Sequence, residues 1–240
     1  MVLYTINKYV EKQVIMTTSE KYTQWVEKVI PFLEKTGKEL NRCCSVMQSK
    51  PVLDKQPQVL FLGYNAQEDY GFLPIDKTRF FEGNPSFYTE ERYTKWRIWQ
   101  RLYGAFKWAE HLDPVTDGNF IFMNAVYFGT KNINQLKNIE QSKEVVNQCL
   151  DFTAEVIQDI FKPKSIVCFS ISECFNPLKK KFHFTEEEII TPQMVNGALA
   201  GIKINKAYWN GIPIYGIPHP SGRLNNDDMG AIALFLKKEL

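Results

Sequence analysis

Two segments of the chain carry polar side chains directly after apolar runs. Asn65 follows the run at residues 59–62, and His219, one of three histidines, follows the run at residues 212–217. Both runs are typical of buried parallel strands. Because ligands bind at the carboxyl ends of the strands in open α/β sheets, Asn65 and His219 are predicted to lie on two walls of one pocket.

Two further polar residues end apolar runs in the same way: Asn124 after residues 120–123, and Ser170 at the end of 165–170. Taken alone, each has an ordinary explanation, since Asn is a common turn residue that caps backbone donors. A single histidine before a proline is also common in loops. The four residues together, with a glycine before Tyr64-Asn65 and Pro-Ser-Gly after His219, favour a functional site.

These residues need a sheet and its helices to position them. The runs above predict four strands, and the Asn210-Gly211 pair predicts a hairpin that places residues 202–208 antiparallel to the last strand. Helices are predicted at residues 19–47, with Pro31 breaking or kinking the first, and at 89–111, 142–161 and 227–240. With no linker or repeat, residues 1–240 are predicted to form one α/β domain, in which residues 1–50 are a helical extension.

A long loop at residues 64–88 is predicted between the first strand and the helix at 89–111. Loops of this length inside a compact domain are uncommon and are usually functional or disordered. This loop contains the four phenylalanines Phe72, Phe80, Phe81 and Phe87, which argue against disorder.

Composition excludes several classes of protein. The 240 residues have a formal net charge of +2, lower than is usual for a non-specific nucleic-acid binder. Two local basic faces are candidates, although a solvated helix face is the better explanation of each run taken alone: Lys179-Lys180-Lys181, and the series Arg92, Lys95, Arg97 and Arg101. The five cysteines form no CxxC pair, so no metal site is predicted. No apolar stretch is long enough for a signal peptide or a membrane span, and a cytoplasmic location is expected.

Three short motifs resemble those of the uracil-DNA glycosylase superfamily. In that family a strand is followed by Gly-x-Asp-Pro or Gly-x-Asn-Pro, a later strand by His-Pro-Ser, and an intervening strand carries an Asn. Here the corresponding residues are Gly63-Tyr64-Asn65-Ala66, His219-Pro220-Ser221 and Asn124. Asn in the first motif and Gly222-Arg223 after the second are most similar to the single-strand-selective monofunctional branch. Gly83-Asn84 and Phe87-Tyr88 are similar to the mismatch-specific branch.

The resemblance implies a three-layer α/β/α sandwich around a mostly parallel four-stranded sheet. It implies a monofunctional DNA glycosylase of base-excision repair, and we expect the protein to be a monomer. The enzyme would remove uracil or a related damaged base from single- or double-stranded DNA by base flipping, without a metal or cofactor. Asn65 would position the attacking water, His219 would stabilise the charge on uracil O2, and Asn124 would bind the O4 and N3–H edge.

Other contacts follow from the same resemblance. A base would stack on Phe81 or Phe80, with Phe72 as a third choice, although each of these rings could instead pin the loop to the core. Tyr64 is expected beside the base. DNA contacts are expected from Gly63, Ser221, Gly222, Arg223 and Leu224. Of these, Arg223 and Leu224 occupy the position of the family's wedge, and Arg223 could alternatively bind a phosphate.

The first motif also departs from the family pattern. Ala66 replaces the usual proline, and Glu68 and Asp69 place two carboxylates near the site, where they would repel a polyanion. Two alternatives therefore stay open: a non-catalytic nucleic-acid-binding member of the same fold, and a hydrolase of free nucleosides or nucleotides. No motif contains a lysine that would form a Schiff base, so strand cleavage after base removal is not expected.

Overall fold

A mixed six-stranded sheet is the centre of the computed structural model, which describes residues 16–66, 70–85, 87, 96–116, 118–131, 135 and 142–240. Its strands are β1 (Val59–Gly63), β2 (Phe120–Asn124), β3 (Ile166–Phe169), β4 (Thr185–Ile190), β5 (Ile204–Trp209) and β6 (Ile212–Ile217). Their order in the sheet is β2-β1-β3-β6-β5-β4.

The predicted α/β class is confirmed, but the predicted four-stranded sheet is too small. Strands β2, β1, β3 and β6 are parallel, and β5 and β4 extend the sheet on the β6 side as antiparallel strands. The hairpin at Asn210-Gly211 joins β5 to β6 as predicted. Strand β4 was not predicted, because it is exposed along almost its whole length and its sequence therefore lacks the alternation of apolar and polar residues. Backbone pairing with β5 holds this strand in place.

The helices are α1 (Thr18–Leu40), α2 (Thr78–Glu82), α3 (Arg97–Trp108), α4 (Asp113–Thr116), α5 (Ser142–Glu155), α6 (Asn176–Phe182) and α7 (Asn226–Glu239). A π-helical segment, Val156–Phe161, continues α5, and a π-helical turn, Ile171–Phe175, precedes α6. The predicted helices at 142–161 and 227–240 are confirmed. Of the helix predicted at 89–111, residues 89–95 lie outside the described residues.

The first helix is shorter than predicted. It contains Pro31 without ending there, and it stops at Leu40 instead of residue 47. Asn41 adopts the left-handed conformation, with φ 49°, and its backbone N–H caps the carbonyls of Gly37 and Lys38. Residues 43–49 then leave the helix and run beside β2.

The central strands are buried on both faces. Leu60 and Leu62 of β1 belong to a hydrophobic cluster that includes residues of α1 and α5. The alternating residues Val59 and Phe61 belong to a second cluster with residues of α3 and α7. Burial on both sides explains why these strands are continuous apolar runs in the sequence. Among the described residues, no helix has both the length and the apolar character needed to cross a membrane.

Gly216 of β6 provides a test of this packing. A Cβ at this position would lie 2.7 Å from Phe175 Cγ and 2.8 Å from Phe175 Cβ, and Phe175 is fully buried. We expect Gly216→Ala to lower the free energy of unfolding by about 1–3 kcal/mol through overpacking. Urea denaturation measures this change.

The matched control is Gly104→Ala on α3, where an added Cβ would meet no atom within 4 Å. This variant should gain about 0.5–1 kcal/mol, since alanine is the better helix former. Equal effects of the two substitutions would contradict the described packing at β6.

Candidate functional site

A cavity of about 710 Å³ opens at the carboxyl ends of the parallel strands. Asn65, Asn124 and His219 all line it, together with Tyr64 and Ser221. The three residues come together because β1, β2 and β6 are parallel and their ends lie at one edge of the sheet. The volume lies within the range of pockets that bind small organic ligands.

Asn65 is half-buried and held through its amide nitrogen. Nδ2 donates to Thr130 Oγ1 at 2.8 Å and lies 3.2 Å from the Ala66 carbonyl and 3.4 Å from the Phe128 carbonyl. Among the described residues, none donates a hydrogen bond to Asn65 Oδ1. The side chain is therefore oriented, and its oxygen remains an acceptor that can orient a water molecule.

Asn124 is the last residue of β2 and only 4 % exposed. Its backbone N–H donates to the Val46 carbonyl at 2.9 Å, and its Nδ2 donates to the Ser45 carbonyl at 3.0 Å. Its Oδ1 lies beside Gly63, where an added Cβ would be 2.8 Å away. Gly63 thus leaves room for the Asn124 side chain.

His219 follows β6 and presents its ring to the cavity. Its Nδ1 lies 2.8 Å from Ser221 Oγ and accepts from the Ser221 backbone N–H at 3.3 Å. Because a backbone N–H can only donate, Nδ1 is an acceptor, and the neutral ring carries its proton on Nε2. His219 is exposed as a residue, but the partial loss of water around its ring lowers its pKa, while the charge of Glu173 acts in the opposite direction.

Arg101 of α3 braces the loop at residues 218–224, here named the His219 loop. Its Nη1 donates to the carbonyls of Pro220 at 2.8 Å and Gly222 at 3.0 Å, and its Nη2 donates to the Leu224 carbonyl. The Gly222 N–H closes a turn on the His219 carbonyl at 2.8 Å. An added Cβ at Gly222 would lie 2.9 Å from that oxygen, so the turn requires glycine.

The two residues predicted to contact DNA after this turn differ in exposure. Arg223 is exposed. Leu224 is half-buried and packs against the cluster formed with α3 and α7. The Leu224 side chain is therefore packed against the protein's own hydrophobic core, and the Leu224 carbonyl accepts a hydrogen bond from Arg101.

The three phenylalanine rings predicted to stack on the base lie in different places in the structure. Phe80 lines the cavity, and its ring meets Trp25 edge to face at 6.3 Å between centroids. Phe81 meets Tyr22 in the same manner at 5.6 Å. Phe72 lies against the end of α1, with Lys38 Nζ 5.5 Å from its ring centroid.

Other aromatic side chains border the cavity. Tyr64 is half-buried, and burial raises its pKa to about 12, so its hydroxyl stays protonated. Trp96 and Phe122 also line the cavity, with ring centroids 6.3 Å apart and planes at 79°. Sequence reasoning missed these two as site residues. In the sequence, an apolar strand residue such as Phe122 and a tryptophan beside a helix such as Trp96 look the same as residues of the hydrophobic core.

Sequence reasoning also missed one wall of the cavity, formed by residues 43–49. We name these residues the wall segment. It covers the outer edge of β2, with an antiparallel bridge between Met47 and Met123. Its Ser45, Val46, Met47 and Gln48 line the cavity. One signal in the sequence could have indicated that the helix ends before this segment: Asn41 is a residue type that tolerates the left-handed conformation at a helix end.

The charged residues occupy the rim and the surface. Arg79 and Arg97 are exposed and line the cavity, as does Asp76. Lys179 pairs with Glu187 at 2.7 Å and Lys181 with Asp151 at 2.8 Å, as in a solvated helix face. Glu68, Asp69, Arg92 and Lys95 lie outside the described residues.

The cysteines of the described chain are free thiols. Cys43 and Cys44 line the cavity, and burial raises the pKa of Cys44. Within the same described ranges, no three His, Cys, Asp or Glu side chains come together as a potential metal site.

No protein-family model matches this chain, and a search among curated proteins found no matching relative. Any functional interpretation therefore depends on the residues of the cavity itself.

The environment of His219 predicts its titration. Its pKa should lie below the ordinary histidine value of about 6.5. Glu173→Gln should lower it further, because the Glu173 charge stabilises the imidazolium. An NMR titration of the His219 ring measures both values, with the exposed Glu144→Gln on α5 as the control.

The same shift sets the sign of the pH dependence of stability. The pKa of His219 is lower in the folded protein than in the unfolded chain, so the neutral ring contributes to the free energy of unfolding. This contribution of His219 is complete above about pH 6.5 and is lost as the pH falls through the folded pKa. Protonation also turns Nδ1 into a donor that faces the Ser221 N–H. A His219 pKa above 6.5, or an increase in Glu173→Gln, would contradict this description.

Arg101 allows a second test. A lysine cannot reproduce the guanidinium fork that reaches several carbonyls, so Arg101→Lys should loosen the His219 loop. We expect roughly 10-fold faster amide hydrogen exchange at Gly222, the effect of losing one to two hydrogen bonds. Arg97→Lys, one turn earlier on α3, is the control and should leave this exchange rate unchanged. Unchanged exchange in Arg101→Lys would show that the loop does not depend on Arg101.

Proposed function

We propose that this protein is a monofunctional DNA glycosylase that hydrolyses the N-glycosidic bond of uracil or a related damaged base. The observation that supports this function is the convergence of Asn65, Asn124 and His219 on one cavity. These are the residues of the three motifs that resemble the uracil-DNA glycosylase superfamily. Helices on both faces of the sheet fit the three-layer arrangement that the resemblance implies, and we propose membership of that superfamily on the same grounds.

Hydrolysis requires a water molecule at the sugar C1′ and stabilisation of the departing base. Asn65 Oδ1 accepts a hydrogen bond from the water and directs it towards C1′. The C1′–N1 bond breaks with its electron pair going to the base, and the water oxygen forms the new bond to C1′ and releases a proton to solvent. Asn65 contributes position more than basicity, because an amide is a very weak base.

His219 stabilises the negative charge that develops on the base. Its neutral ring carries the proton on Nε2, since Nδ1 accepts from Ser221, and Nε2–H can donate to O2 of the departing uracil. The donor is oriented before the reaction by Ser221 and, through the loop carbonyls, by Arg101. Donors fixed in this way are effective because they need no reorganisation as charge develops.

Base identity is determined by hydrogen bonding and stacking. The amide of Asn124 offers a donor for O4 and an acceptor for N3–H of uracil. Discrimination by such polar pairs is strong, because a wrong base leaves buried groups unpaired. Phe80, Phe122 and Tyr64 supply aromatic surface around the base, and the exposed Arg79 and Arg97 at the rim suit the phosphates of a DNA strand.

Hydrolysis of free nucleosides or nucleotides is a second candidate. The volume of the cavity favours it, since about 710 Å³ accommodates more than a single base. Asp76 at the rim could also accept hydrogen bonds from sugar hydroxyls.

Uracil-containing oligonucleotides, single- and double-stranded, test the proposed activity. Incubation with the protein followed by alkali should break the strand at uracil. Asn65→Ala should reduce the rate about 100-fold or more, since the water would lose its orienting group. Asn147→Ala, which removes an exposed amide from α5, is the matched control and should keep the full rate.

The alternatives give different results. Turnover of mononucleosides without alkali-labile sites in DNA would favour the second candidate. Salt-dependent, base-selective binding of DNA without product would favour a non-catalytic nucleic-acid-binding protein. Full activity of Asn65→Ala would remove Asn65 from the proposed role.

A further inference from the structure

Hydrogen bonds attach the wall segment to β2 and to the residues that follow this strand. Ser45 N–H donates to the Tyr127 carbonyl at 2.8 Å, and Gln48 N–H donates to the Phe122 carbonyl at 2.8 Å. Phe122 N–H donates in return to Ser49 Oγ at 2.8 Å. The segment therefore has a fixed position relative to Asn124, the last residue of that strand.

The carbonyl of Ser45 selects one orientation of the Asn124 amide. With Nδ2 donating to this carbonyl at 3.0 Å, Oδ1 lies on the side of Gly63. A half-turn of the amide would place Oδ1 against the Ser45 oxygen, where two acceptors face each other without a proton. Asn124 is buried, so water cannot replace the lost bond at low cost.

The orientation of an amide determines which pyrimidine it recognises. Uracil presents an acceptor at O4 and a donor at N3, whereas cytosine presents a donor at N4 and an acceptor at N3. A half-turn of Asn124 exchanges its own donor and acceptor. The group that prevents this half-turn therefore controls discrimination between the two bases.

Gln48 holds Ser45 in place. Gln48 Nε2 donates to Ser45 Oγ at 2.8 Å, and the two residues are only 3 % and 6 % exposed. Both border the cavity that contains Asn124. Gln48 thus binds the side chain of the residue whose backbone carbonyl accepts the hydrogen bond from Asn124.

We propose that Gln48 and Ser45 are positioning residues that set the preference of the cavity for uracil over cytosine by fixing the Asn124 amide. The proposal assigns a role to residues 43–49, which lie outside the motifs of the resemblance. It rests on the proposed function for its biological setting, but the preference concerns binding of a base and can be measured without catalysis.

The experiment compares Gln48→Met, Ser45→Ala and the double variant with the parent protein. Both single substitutions remove the same bond between Gln48 Nε2 and Ser45 Oγ. Dissociation constants of free uracil and free cytosine are measured by NMR titration, and the Asn124 side-chain amide signals are followed. Gln158→Met is the control, since it makes the same change at a site on the π-helical segment after α5.

We expect each single variant to reduce the uracil-over-cytosine ratio roughly 2- to 10-fold, the effect of one hydrogen bond. The double variant should match the singles, because the two side chains act through one bond. Faster hydrogen exchange of the Asn124 amide should accompany the loss, and Gln158→Met should leave the ratio unchanged. Thermal melting of all variants separates this effect from general destabilisation.

The failure of this proposal is distinguishable from the failure of the glycosylase function. A parent protein that prefers uracil but cleaves no oligonucleotide would overturn the glycosylase function, and loss of the preference in the variants would still support the positioning role. A parent protein that cleaves uracil-DNA, with an undiminished base preference in both single variants, would overturn the positioning role alone.

Discussion

The parallel register of β1 and β2 places Gly63 beside Asn124, and the geometry of the site depends on this pairing. The amide oxygen of Asn124 occupies the space that any side chain at residue 63 would need. The same pairing aligns the end of β1 with the end of β2, so that Asn65 emerges next to Asn124. Because β3 lies between β1 and β6, the parallel order also brings His219 to this edge.

Neutral hydrogen-bonding groups dominate the inner part of the cavity, and each is oriented by a hydrogen-bonding partner. Thr130 holds Asn65, Ser45 holds Asn124, and Ser221 fixes the protonation of His219. The charged residues Arg79 and Arg97 lie at the rim. This division suits a ligand with a neutral base and a charged backbone, because the base is recognised by its donors and acceptors and the backbone by charge.

The parallel strands were predictable because burial on both faces leaves continuous apolar runs, as in residues 59–62. The hairpin at Asn210-Gly211 was predictable from its turn residues. Strand β4 was not, since an exposed edge strand depends on pairing with β5 and needs no apolar pattern. The end of α1 was also misplaced, because the apolar residues of the wall segment continue the helical spacing while their backbone pairs with β2.

The residues of the candidate site likewise fall into those that could be predicted from the sequence and those that could not. Residues that follow strands, such as Asn65 and His219, could be found because the topology of parallel sheets determines where strand ends meet. The contribution of Ser45 and Gln48 could not, because it comes from tertiary contact between segments far apart in the chain. Phe80 could be separated from Phe72 and Phe81 only by packing, since all three fall in the loop predicted at residues 64–88, part of which folds as α2 in the structure.

A crystal structure of the protein with free uracil tests the central claim most directly. The account predicts uracil in the cavity, with its O4 and N3 edge on the Asn124 amide and its O2 within hydrogen-bonding distance of His219 Nε2. Uracil bound elsewhere, or bound in the cavity with a different edge on Asn124, would contradict it.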